Sequence, residues 1–316
     1  MILGVSRSGT TLLKEMVGRH SRLAIPTESY FIPQLWDRHG ARPDREAFLA
    51  DISRLARVRE WGVSVADVCD RLPRQPSFAE AIGSIYGAYA AAQGKERYGD
   101  KTPLYMQSLA TVARAFPHAQ YVHVVRDGRD AGLSFLAMRR RPRFNWARPR
   151  ALPSFAAQWR WEIEAARRFG ATRPYLELRY EDLVGDPEAK LGEICAFLGL
   201  PFEQTMLEYH RDVDPKRLLD HPKLAEPPGP GRSRWRDELE PSEVEQFEGV
   251  AGDVLAASGY ERAFPRPSRR DLARGAAERA AFAVRLRCWR TATAIVRKSP
   301  AWRARQVYIR RTARAA

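Results

Sequence analysis

Apolar positions along this chain switch repeatedly between short β-like runs and helical spacing. "MILGV" opens it with a brief run of strand-forming residues. After a glycine-bearing stretch, "TTLLKEMVGRH" sets Leu12, Leu13, Met16 and Val17 on one helix face. The opening therefore predicts strand, loop and helix, with the chain starting almost inside its first strand. Residues 44–94 carry mostly helical patterns, clearest in "FAEAIGSIYGAYAAAQ", broken at the two prolines of "RLPRQPS", and predict a helical insert. Strand signals return in "RYGDK", in "QYVHVV" between Pro117 and Gly128, and in "PYLELRY", each followed by a helical pattern. Strands alternating with helices predict an α/β fold built on a parallel sheet flanked by helices. Ligands of such sheets bind beyond the carboxyl ends of the strands, where the loops at 6–11, 100–103 and 126–130 are expected to share one crevice. The Pro- and Gly-rich "HPKLAEPPGPGRSRW" reads as a loop before a helix in "EPSEVEQFEGVAGDVLAASG", and no internal repeat is found.

Charge changes this picture at one end only. The 316 residues carry a net +15. Residues 264–316 hold fifteen Lys and Arg against Asp271 and Glu278, a net +13 that leaves only +2 for everything before them. The chain thus divides into a body, 1–263, and a basic helical extension, 264–316. With Trp289, Trp302 and Tyr308 interleaved, the extension reads as a helix packed on the body with solvated arginines, as a segment lying on an anionic membrane, or as one that steers an acidic acceptor. Specific nucleic-acid binding is not expected of a nearly neutral body. No apolar run approaches the roughly 18 residues of a membrane span, and "MILGV" is too short for a signal peptide, so a soluble protein is expected. Cys69, Cys195 and Cys288 are far apart and form no C-x-x-C, which argues against disulfides and zinc and for a cytoplasmic setting. The six histidines show no ligand spacing, and His123 in "YVHVV" reads as a packed strand residue.

Two stretches carry candidate chemistry. In "GVSRSGTTLL", Gly4 and Gly9 have the spacing of the phosphate-binding G-x-x-x-x-G-K-[ST] loop, but Thr10 stands where lysine belongs. Arg7 restores a positive charge, and Ser8, Gly9, Thr10 and Thr11 lead into a helix N-terminus that offers backbone donors to an anion. Taken alone, the stretch also reads as an ordinary strand-to-helix turn with Ser/Thr capping, since a glycine pair by itself is a weak signal. In "VVRDGRDAGLSF", Arg126 follows a strand, and Ser134 lies on the second turn of the next helix, where the two suit one phosphate. The competing reading makes Asp127 a helix cap and Arg126, Arg129 and Asp130 exposed ion pairs.

In order, spacing and residue type, these two motifs together resemble the sulfotransferases that use 3′-phosphoadenosine 5′-phosphosulfate, PAPS, in the branch of tyrosylprotein and bacterial enzymes. The resemblance continues through "RYEDLVGDPEAKLGEICAFLGLPF" and "GRSRWRDEL", covering roughly residues 1–260. It implies a P-loop-like fold in which Arg7, Ser8, Gly9, Thr10 and Thr11 cradle the 5′-phosphosulfate while Arg126 and Ser134 grip the 3′-phosphate. PAPS is then the co-substrate, no metal is required, and a missing P-loop lysine is consistent. By the same resemblance Glu28 in "IPTESYF" is the base, against a solvated or capping carboxylate. Lys101 in "GDKTP" is the cation near the leaving oxygen, against a surface lysine. Asp100 is a fallback base or a partner orienting Lys101. Tyr180 is carried over as a nucleotide contact or a half-buried sheet-edge tyrosine. Arg232 and Arg234 fall in the late loop as 3′-phosphate ligands, although the loop departs from the glycine-lysine pattern of the cytosolic branch. The implied reaction is in-line sulfuryl transfer to a hydroxyl or amine of an acceptor that is a glycan, lipid, peptide or small molecule.

Two other readings compete. An ATP-dependent small-molecule kinase would want a lysine at position 10 and an acid for Mg²⁺. A non-catalytic nucleotide-binding or membrane-adaptor protein would have no use for Glu28 and Lys101.

Overall fold

The computed structural model describes residues 1–139, 151–213, 218, 222–227, 229 and 233–298. In chain order the elements are β1 (Ile2–Leu3), α1 (Thr10–Gly18), β2 (Leu23–Ala24), α2 (Ile32–His39), α3 (Arg45–Ile52) and α4 (Ala56–Glu60). There follow α5 (Val65–Arg71), α6 (Phe78–Ala91), β3 (Arg97–Tyr98), a 3₁₀ turn (Pro103–Gln107), α7 (Leu109–Ala115), β4 (Tyr121–Val125), α8 (Gly128–Arg139) and α9 (Leu152–Gly170). The chain continues through β5 (Tyr175–Arg179), α10 (Tyr180–Gly185), α11 (Pro187–Leu198), α12 (Trp235–Glu238), α13 (Pro241–Ala257) and α14 (Arg269–Lys298). The described residues form two compact units, one from 1–19 and 120–288, the other from 20–119 and 289–298.

The first unit is the α/β part. β4 is buried along its whole length, as the unbroken apolar run of a central parallel strand requires. It pairs in parallel with β1, Ile2 opposite Val122, and with β5, Tyr121 opposite Tyr175, giving the order β1-β4-β5. β1 is only two residues long, but Met1 extends its attachment, donating its α-amino group to the Gln120 carbonyl at 2.7 Å. α9 buries a stripe of Leu152, Phe155, Ala156, Trp159, Ile163 and Ala166, the spacing of one helix face. The core it joins contains Phe247, Val250 and Leu255 of α13 together with Val5 and Val125, the last apolar residues before the loops of Arg7 and Arg126.

α14 begins against this core. A Cβ on Gly275 would stand 2.1 Å from the Gly249 carbonyl oxygen, so α13 and α14 meet backbone to backbone. Arg279 donates to the carbonyls of Gly249 and Val250 at 3.2 and 3.1 Å, and Phe282 meets Trp161 at 6.0 Å between ring centroids. Beyond Leu286, every side chain of this helix that is described is exposed. Of the extension's aromatic residues, Trp302 and Tyr308 lie outside the described residues.

The second unit is the helical insert, and it corrects one expectation. The strand at "RYGDK", β3, does not join β1, β4 and β5; it pairs in parallel with β2 in a separate two-stranded sheet. The loop at 100–103 therefore does not end a strand of the main sheet, although that was expected. The insert's helices start at side-chain caps: Asp44 accepts from Ala47 N–H at 2.8 Å, and Ser64 with Asp67 and Ser77 with Glu80 form reciprocal capping boxes. Phe31, Trp61, Tyr86 and Phe116 pack at ring separations of 5.2–5.5 Å to fill its centre.

Candidate functional site

The two motifs lie side by side in the first unit. The loop after β1 turns sharply: Arg7 takes φ 76° and Gly9 φ 88°, both in the left-handed region, before α1 starts at Thr10 without a side-chain cap. Gly9 is required there twice over, since a Cβ would come within 2.2 Å of the Tyr180 ring. The Arg126 guanidinium donates to the Arg7 carbonyl at 3.1 Å across 119 residues of sequence. Arg7 Nε in turn donates to Ser134 Oγ at 3.0 Å. Ser134 is thus joined to Arg7 rather than to Arg126. Tyr180, the first residue of α10, lies under the Arg126 guanidinium at 4.7 Å and is half-buried.

The donor chemistry suits an oxyanion. Ser8 Oγ and Arg126 Nε are buried without a hydrogen-bond partner, and an unpaired buried donor is unfavourable unless something accepts from it. With the N-terminus of α1 and two arginines, they make a cradle with unused donors, which fits the anionic groups of a nucleotide. Thr10 is 4% exposed, so the position of the P-loop lysine is filled by a packed side chain.

The residues around Arg126 explain its placement. Its carbonyl accepts from Trp159 Nε1 at 3.2 Å, and the next amide, Asp127 N–H, donates to Glu181 at 3.2 Å. Asp127 caps α8 by accepting the Arg129 N–H at 2.9 Å. Arg129 is 1% exposed, not a surface charge: it pairs with Asp127 at 2.7 Å and Glu248 at 2.6 Å. Asp130 is also buried and accepts the Trp235 N–H at 2.9 Å, while the Trp235 ring covers Arg129 at 3.6 Å. Burial, with Asp127 and Glu181 nearby, pushes the Asp130 carboxyl up to about 6. The described part of the late loop is therefore fixed to the first turn of α8. Arg234 forms a bidentate pair with Glu238 at 2.7 and 2.8 Å, whereas Arg232 lies outside the described residues.

In the second unit, Lys101 Nζ donates to Glu28 Oε1 at 2.8 Å, with the lysine 5% exposed and the Glu28 side chain 27% exposed. A buried ammonium thus holds one oxygen of a carboxylate that keeps an accessible face. Asp100 departs from its expected role as a fallback base. It is 1% exposed, burial raises its carboxyl, and its Oδ2 accepts from Ser29 and Tyr86 at 2.7 and 2.6 Å, so it presents no accessible base. His123 is the packed strand residue that was expected: it is fully buried, lies 2.5 Å from Tyr175 Oη and 3.3 Å from Glu177, and burial lowers its ring below the usual imidazole range. Among the described residues no three His, Cys, Asp or Glu side chains gather as metal ligands would.

This parallel α/β unit is consistent with a P-loop-like fold. Residues 1–204 match the Sulfotransferase family, and the chain belongs to it. It is 26% identical to protein-tyrosine sulfotransferase 1 of Danio rerio over 82% of this chain and 71% of that protein. It is 27% identical to the nodulation protein NoeE of Sinorhizobium fredii over 83% of this chain and 65% of that one. The chain spans between 27% and 71% of the length of the first curated relatives it matches. In fold it is similar to the sulfotransferase domain of the Synechococcus PCC 7002 olefin synthase, with a TM-score of 0.52 at 24% identity, covering 81% of this chain and 93% of that domain.

Proposed function

We propose that this protein transfers a sulfuryl group from PAPS to a hydroxyl or amine of an acceptor. The observation that carries this reading is the junction of Arg126, Arg7 and Ser134, in which two motifs far apart in sequence build one cradle with donors left over. In this reading Arg7, Ser8, Gly9, Thr10 and Thr11 bind the 5′ anion, and Arg126, Ser134 and Tyr180 take the 3′-phosphate end, with Arg232 and Arg234 closing from the late loop. When bound, PAPS supplies an activated sulfuryl group on a good leaving phosphate. The chain's own contribution is to orient that end, to neutralise charge at it, and to take the acceptor's proton. Glu28 accepts that proton on its accessible face, an effect of about 10²–10⁴-fold for a placed base, and Lys101 supplies the positive charge that steadies the departing side.

Isothermal titration with adenosine 3′,5′-bisphosphate and with ATP, followed by transfer from ³⁵S-labelled PAPS to a panel of a phenol, a sugar and a primary alcohol, tests this. The expected result is tighter binding of the bisphosphate, label on one acceptor class, and labelling slowed about 10²-fold or more but still measurable in E28Q. Tighter binding of ATP would overturn it.

The extension is read as a membrane-facing segment. Leu272, Val284 and Trp289 are three of the five large hydrophobic residues that stand exposed among the described residues, and all three lie on the basic helix α14. No helix of the described residues is long and apolar enough to cross a membrane. The contact proposed is peripheral, with an anionic lipid surface.

A further inference from the structure

Ser29, the residue after the proposed base, is 2% exposed and is the hub of a buried hydrogen-bond chain. Its hydroxyl donates to Asp100 Oδ2 at 2.7 Å and lies 2.7 Å from Tyr105 Oη, and Tyr86 Oη donates to the same Asp100 oxygen at 2.6 Å. The Ser29 N–H donates to Thr102 Oγ1 at 3.1 Å, and the Ile32 N–H to Tyr105 Oη at 3.2 Å. A serine has one hydrogen, and here it goes to the carboxylate, so Tyr105 must donate to Ser29 and the direction of the chain is fixed. Burial holds both phenols well above the usual tyrosine range, which keeps them protonated donors.

Two features give this network a task. Tyr30, next along, sits at φ 61°, a conformation that a non-glycine residue keeps only where its surroundings impose it. The network also brackets the ion pair: Ser29 follows Glu28, while Asp100 and Thr102 flank Lys101. A partly exposed ion pair fixes its own geometry weakly. A buried chain of hydrogen bonds fixes geometry better.

We infer that Ser29 and Asp100 are positioning residues, which lock the loop bearing Glu28 to the loop bearing Lys101 and so hold the proposed base in place. The inference rests on the reading of Glu28 as base. Its test compares S29A, Y105F, E28Q and the double variant E28Q/S29A, in transfer from ³⁵S-labelled PAPS to the fastest acceptor of the panel. Titration with adenosine 3′,5′-bisphosphate and thermal unfolding run beside it. S29A and Y105F are expected to lower kcat about tenfold while KM for PAPS and binding of the bisphosphate stay within about twofold. In the E28Q background S29A should change kcat by less than about twofold, because a residue that acts through Glu28 has nothing left to position.

Unchanged kcat in both single variants, or a loss from S29A as large in E28Q as in the wild type, would overturn the positioning role. So would loss of bisphosphate binding in both, which would make the network a general folding element. Full turnover by E28Q is a separate outcome: it removes the base reading itself, and the positioning role with it.

Discussion

Gly9 shows how tightly the cradle is built. Its φ of 88° and the 2.2 Å approach of a would-be Cβ to the Tyr180 ring leave no room for alanine without moving either the loop or the ring under Arg126. G9A is expected to weaken adenosine 3′,5′-bisphosphate binding by about tenfold or more, which is roughly 1.4 kcal/mol, and to lower the urea midpoint. Titration and denaturation on the same sample check this, and wild-type affinity in G9A would show that the loop does not meet the ligand. At this scale the sequence was informative where residue type alone carries chemistry. Arg7, Ser8 and Arg126 could be picked out because a glycine loop and an arginine after a strand mean something by themselves. Arg129 could not. Four charges within "RDGRD" look solvated until Glu248, 119 residues away, arrives to bury one of them. Asp100 misled as a base for the same reason, since its partners Ser29 and Tyr86 come from another loop and another helix.

Among the elements, β4 and β5 were legible because a run such as "YVHVV" has no polar alternation to confuse it, and α9 because its stripe is long. β2 was not, because two residues hold no periodicity, and without it β3 was assigned to the wrong sheet. The β4–β5 pair also carries a pH dependence. Burial alone would raise the Glu177 carboxyl, but hydrogen bonds from His123 and Arg167 outweigh it and hold it down to about 2, well below its ordinary 4.5. A carboxyl held low in the fold adds stability that is complete above about pH 5 and is lost as pH falls through the range from 4.5 toward 2. His123, which burial lowers below its ordinary 6.5, acts in the same direction, because the unfolded chain takes up that proton more readily than the fold as pH falls. With screening allowed for, E177Q is expected to remove about 1–2 kcal/mol at pH 7 and less at pH 3. Urea midpoints at the two pH values measure it, and an equal loss at both would mean that charge at Glu177 is not what matters.

Over the whole molecule, charge is segregated. Beyond Glu278 the chain carries eleven Lys and Arg and no acid. α14 begins on the α/β unit through the Gly249–Gly275 contact, and its described side chains from Arg287 onward are exposed. If this helix meets anionic lipid, the full chain should co-sediment with phosphatidylglycerol vesicles at low salt and release at high salt, and replacing Arg285, Arg287 and Trp289 by Gln, Gln and Ala should weaken binding about tenfold or more. Equal sedimentation of both proteins would remove the membrane reading.

The central claim is that the arginines of two separate loops recognise one nucleotide carrying anionic groups at both ends of its ribose. The most direct measurement is a calorimetric comparison of adenosine 3′,5′-bisphosphate with adenosine 5′-monophosphate, in the wild type and in R126A. The wild type is expected to favour the bisphosphate by about a hundredfold, the scale of a phosphate held by charge-assisted bonds, and R126A is expected to lose most of this preference while still binding the monophosphate. Equal affinity of the wild type for the two nucleotides, or an undiminished preference in R126A, would contradict it.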